Sequence, residues 1–173
     1  MSINSNKEKL IKSLRFYEEF LKTVNEEAFS TTPSTGGWSY SEVYSHIFGA
    51  NLMSAIAIEK CLNKTAEIKM SKPNWKVRLI LFIGKFPPGK IKAPAQILSG
   101  VKKITKEEAS NQLIKLYKKM DAQYPEIKKA DSHYKFKHPR LGYLDAKAWL
   151  RFILIHTQHH QKQIGRIQKS LNF

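Results

Sequence analysis

A chain of 173 residues with 42% hydrophobic side chains is long enough to bury a core without covalent staples, which excludes wholesale disorder. Its 30 Lys and Arg against 14 Asp and Glu give a formal charge of +16, a field that draws anions: acidic small molecules, nucleic acid or a membrane surface. The lone Cys61 cannot close an internal disulfide, the polar Met1–Asn6 stretch lacks a signal-peptide core, and no apolar run spans a bilayer; the expectation is one cytoplasmic domain over residues 1–173.

Four long segments carry helical periodicity. In the first, Leu10, Leu14, Tyr17, Leu21, Val24 and Ala28 recur at three- and four-residue steps, and Ser5 and Glu8 are spaced as a capping box at its start. The second begins after Pro33, Gly36 and Gly37. There Ser39 is the expected N-cap, Glu42 its reciprocal partner, and Trp38 with Val43 a hydrophobic staple. A connection of about forty residues follows, from Asn63 to Ile104, too long for a turn and suited to a crossover. Between Lys60 and Lys106 there are twelve Lys or Arg and one acid, Glu67.

Within the crossover, Trp75–Ile83 lies between Pro73 and Pro87-Pro88-Gly89. Its apolar residues are contiguous rather than confined to one stripe, which predicts a short helix packed on the bundle; a membrane-touching segment is the alternative. The third long helix opens on a second box, Thr105 to Glu108, turns Ala109, Leu113, Leu116, Met120 and Tyr124 inward, and is expected to stop near Pro125. The fourth runs from about Asp145 to Ser170, with Trp149, Ile153, Ile164, Ile167 and Leu171 on one side. No alternating strand pattern stands out. The expected fold is all-α, a four-helix bundle with a long crossover, about residues 63–104, between its second and third helices.

Histidines decide the chemistry. At about 100° per residue, His156 and His160 lie one above the other within the core stripe of the last helix, near Trp149, Ile153 and Ile167. His159 falls at the edge of that stripe, and Gln163 reaches towards the same pocket one turn beyond His160. On the second helix His46 shares a face with Ser39, Val43, Ala50, Met53 and Ala57, so it also points inward. A lone inward histidine is ordinarily a satisfied core residue, but three in one small core each need partners. A divalent metal satisfies all three and leaves positions open to water or substrate. Such ligation suits zinc, nickel, iron or copper. Glu42 lies near His46, although its capping role already accounts for it. Cys61 shares that face but is about 22 Å farther along the helix, too far to be a ligand. His133 and His138 read as loop residues. No Ser-His-Asp set, phosphate loop or carboxylate pair stands out, so catalytic residues are unassigned.

Three motifs carry a family likeness: Trp38-Ser39-x-x-Glu42-x-x-x-His46, His138-Pro-x-Leu-Gly142, and Trp149-x6-His156-x-x-His159-His160-x-x-Gln163-Ile164. Through them the chain, from about Leu10 to Leu171, resembles the DinB-like superfamily of four-helix bundles, which includes the YfiT-like metal-dependent hydrolases. The resemblance implies a divalent metal held by His46, His156 and His160. It also implies hydrolase or thiol-transferase activity, a low-molecular-weight thiol as one substrate class, and a homodimer formed through bundle faces. The lysine-rich crossover departs from that pattern and suits an anionic substrate. The expected function is therefore metal-dependent hydrolysis or thiol-dependent transfer. Its rivals are a basic binding module for nucleic acid or membrane, and a metal-binding scaffold without catalysis.

Overall fold

The computed structural model describes residues 2–34, 36–87 and 100–171. Helix α1 spans Ile3–Thr23, a turn earlier than its sequence signal, because Ser2 is the N-cap and its hydroxyl accepts the Ser5 N–H at 3.1 Å. The extra turn is held from within: the buried Asn6 accepts from Arg151 Nη1 at 3.1 Å. The first apolar stripe does not run on as one helix. A separate turn, α2 (Glu26–Ser30), is capped by Asn25 and buries Phe29.

Helix α3 (Tyr40–Leu62) starts at the expected capping box, with Ser39 Oγ accepting the Glu42 N–H and Glu42 Oε2 accepting the Ser39 N–H at 2.9 Å. After it the chain forms a short strand β1 (Glu67–Ile68) and helix α4 (Trp75–Ile83). Gly84, at φ +78°, closes α4 in the left-handed conformation, and a Cβ there would collide with the Arg151 guanidinium. Arg151 Nε donates to Leu81 O at 2.8 Å, which ties α4 to the bundle. Pro88 and Gly89 of the expected boundary lie outside the described residues. The crossover returns at Ile104, whose N–H and C=O both bond the buried Ser41 hydroxyl of α3.

Helix α5 (Lys106–Lys129) opens on the Thr105–Glu108 box and continues through Pro125. The missing N–H costs a bond, yet Tyr124 and Ile127 on either side are buried, and their burial holds the last turn in place. Two strands also appear where no alternation was read: β2 (Tyr134–His138) and β3 (Gly142–Leu144). With β1 they make an antiparallel sheet in the order β1-β2-β3, registered by Phe136 opposite Leu144 and Glu67 opposite Lys135. The last helix, α6 (Ala146–Leu171), is capped by Asp145, whose Oδ1 accepts the Ala148 N–H at 2.8 Å.

The architecture is thus a mostly helical four-helix bundle of α1, α3, α5 and α6 with a small sheet at one end. Helices α1 and α3 each pack on both α5 and α6, and face one another across the axis through the rings of Tyr17, Tyr44 and Phe48. Two buried hydroxyls stitch this layer: Tyr44 donates to Tyr17 O and Tyr17 to Thr157 O, each at 2.8 Å. No helix among the described residues is long and apolar enough to cross a membrane.

Candidate metal centre

The close packing of α3 on α6 brings two histidine-bearing faces together. From α6, His156 and His160 project one turn apart into the interface, and both are buried. From α3, the half-buried His46 meets them, its Nε2 lying 3.1 Å from His156 Nε2. Ligand-capable atoms of the three residues all lie within 4.8 Å of one another. The inward face of α3 differs from expectation at Met53, which is largely exposed. The expected Ser39, Val43 and Ala57 are buried, as are Ile47, Asn51, Ser54, Ala55 and Ile58.

Asn51 went unnoticed in the sequence and orders the site. The Thr157 hydroxyl gives its one proton to Ile153 O at 2.7 Å, so it can only accept from Asn51 Nδ2, at 2.9 Å. That fixes the amide and turns Asn51 Oδ1 towards His156 Nδ1 at 3.0 Å. Nδ1 must then carry the proton, leaving a lone pair on His156 Nε2. One turn on, Gln163 Oε1 lies 2.7 Å from His160 Nδ1, and the Nδ1–H tautomer that donates to it leaves His160 Nε2 free. In both rings the distal proton is committed and the proximal nitrogen is a donor atom.

Burial keeps these rings neutral. Desolvation, then the charge of His159, lowers His46 to about 4. Desolvation, then His46, lowers His160 to about 3. His156 is pushed well below its ordinary value by desolvation and then by His160 and His46. Aromatic rings line the cluster. Trp38 lies against His46 with centroids 5.1 Å apart, and Phe152 stacks on His156 at 5.4 Å. Trp38, expected as a staple for Val43, lies over the His46 ring.

Residues 10–164 match the DinB superfamily. The chain belongs to that superfamily. A solved four-helix bundle protein, TT2238, superposes over 95% of this chain and 99% of its own with a TM-score of 0.53 at 18% identity, a likeness of fold alone. No curated protein matches the chain.

The remaining candidates of this DinB-superfamily chain sort by geometry. Gln163 touches the cluster through His160. His159 is exposed and stands edge-on to His160 and Phe86, with centroids 5.0 and 5.3 Å away. Glu42 Oε2 accepts from both the N–H and the hydroxyl of Ser39, so it serves the cap. Cys61 is buried against Leu144 O, 3.8 Å away, and burial raises its thiol to about 11. His133 bonds Asp131 at the surface. His138 is not a free loop residue: its Nδ1 accepts the N–H groups of Arg140 and Leu141, both at 3.1 Å, and so shapes the β2–β3 turn. Its ring rests on Phe152, one ring removed from His156. This turn, completed by Gly142 at φ +73°, gives the His-Pro-x-Leu-Gly motif a structural cause.

Proposed function

We propose that this DinB-superfamily protein holds one divalent cation through His46, His156 and His160 and uses it to activate a water or a thiol for hydrolysis or thiol-dependent group transfer. The observation that carries this reading is the commitment of both Nδ1 protons on α6. Asn51 and Gln163 leave two Nε2 lone pairs turned to a third imidazole. Without a metal, His46 satisfies only one of them, and His160 Nε2 has no partner among the described residues. The donor set, three neutral nitrogens and no carboxylate, fits zinc, nickel or iron(II).

A cation in such a site lowers the pKa of a water or thiol beside it and polarises a carbonyl. The protein's own residues supply the rest. Three neutral imidazoles leave the metal's charge uncompensated, and Arg166 and Lys162 add positive charge beside His159 and His160. That field favours an anionic substrate or a thiol that binds as thiolate. The Trp38 and Phe152 rings exclude water from one side and strengthen those electrostatics.

The test is a panel of hydrolytic and thiol-transfer substrates run on metal-loaded protein and on His156→Ala. Turnover that requires both the metal and His156 supports the reading. Turnover unchanged in His156→Ala overturns it.

A further inference from the structure

Helix α4 packs on the bundle as expected, through Val77 and the bond from Arg151 to Leu81 O, yet it exposes most of its apolar mass. Only Val77 is buried, whereas Trp75 is 68% exposed, Leu79 47%, Phe82 83% and Ile83 56%. Laid out at about 100° per residue, Val77, Ile80 and Leu81 form the inner face, while Phe82, Trp75, Leu79 and Ile83 form a continuous outer arc. Arg78 borders that arc on one edge and Lys76 on the other. Lys72 and Lys85 stand just beyond its ends, all four of them exposed. Among the described residues no carboxylate forms an ion pair with any of these four cations. Ile68 and Met70, which precede α4 in the chain, are also 64% and 76% exposed.

We propose that the outer face of α4 docks the protein on an anionic lipid bilayer, with Trp75, Leu79, Phe82 and Ile83 entering the headgroup boundary and Lys72, Lys76, Arg78 and Lys85 meeting lipid phosphates. An apolar arc edged by cations on a helix lying along the surface is the arrangement an interfacial helix needs. Arg151 and Val77 anchor α4 from below, so the face is presented by a fixed element. An open, mostly apolar groove of about 580 Å³ belongs to the same surface, lined by Trp75, Leu79 and Phe82 together with Lys72, Arg78 and Asp145. The groove's carboxylate, Asp145, is committed to capping α6. Single-stranded nucleic acid is the less suited partner, because the two exposed rings, Trp75 and Phe82, share the face with the aliphatic Leu79 and Ile83, which base stacking does not use and a lipid boundary does.

The experiment is co-sedimentation of the full chain with vesicles of phosphatidylcholine, with and without phosphatidylserine. Binding is expected only with the anionic lipid. It should weaken with salt and shift tryptophan fluorescence to the blue, a shift lost in Trp75→Ser. Trp75→Ser and Phe82→Ser should each weaken it roughly tenfold. Lys76→Gln and Arg78→Gln should weaken it about fivefold per cation removed. Thermal midpoint and metal content should stay unchanged in these variants, because the altered side chains are exposed; metal-centre failure is thereby distinguished from failure of this proposal. No binding to anionic vesicles overturns the inference. Vesicle binding indifferent to Phe82→Ser, with an oligonucleotide bound more tightly, overturns it in favour of nucleic acid. A concentration-dependent dimer dispersed by Phe82→Ser overturns it in favour of a second copy.

Discussion

At Asn51 an amide sits in an apolar run between Ala50 and Leu52, where the sequence offers no reason for it. The reason is His156, whose proton it holds on Nδ1. Histidines 46, 156 and 160 were legible because helical periodicity alone puts them on inward faces. Asn51 was not, because a single polar residue carries no period and its partner is 105 positions away. Asn51→Leu should keep all three ligands and still lower metal affinity about 10–100-fold, since the ring of His156 loses its orientation. A chelator competition titration checks this, and unchanged affinity would contradict the relay. The same burial sets a pH dependence. His46, His138 and His160 sit at about 4, about 4 and about 3 against an ordinary 6.5, each chiefly through desolvation. Below 6.5 the unfolded chain takes up protons that the folded chain refuses. Stability of the metal-free protein should therefore be full above about pH 6.5 and fall as the pH drops towards 4. Urea midpoints measured across that window test it, and a flat profile would contradict it.

Among the elements, the helices were readable and the strands were not. Stripes such as Leu113, Leu116, Met120 and Tyr124 declare a helix through their spacing, and the Ser39–Glu42 box marks where α3 begins. Ser39→Ala should cost about 1 kcal/mol and loosen the entry that aligns Trp38 over His46, which thermal unfolding can measure. Strand β2 hides its alternation because the residue it buries is Lys135, whose ammonium donates to Ser71 O at 2.6 Å while its stem lies inside. A buried lysine inverts the pattern that a strand reading depends on. Pro125 misled for a related reason: local chemistry argues for a stop, whereas Tyr124 and Ile127 are held by the core. Pro125→Ala should restore one backbone bond and raise the unfolding midpoint. A fall would mean that the ring contributes packing not evident in its exposed position.

For the whole molecule, charge and core divide the labour. The bundle interior, with its buried tyrosines, gathers the histidine cluster, while most of the excess positive charge lies on the crossover. Contiguous apolar residues at 79–83 read as core in the sequence because one-dimensional contiguity cannot tell inner from outer arcs of a short helix. Only the placement of Val77 beneath and Phe82 above separates them. The account's central claim concerns the three imidazoles gathered between α3 and α6. Elemental analysis of the purified protein beside His46→Ala and His160→Ala tests it most directly. Near-stoichiometric divalent metal in the parent and little in either variant is the predicted result; a parent that carries no metal and takes up none from zinc, nickel or iron(II) solutions would contradict it.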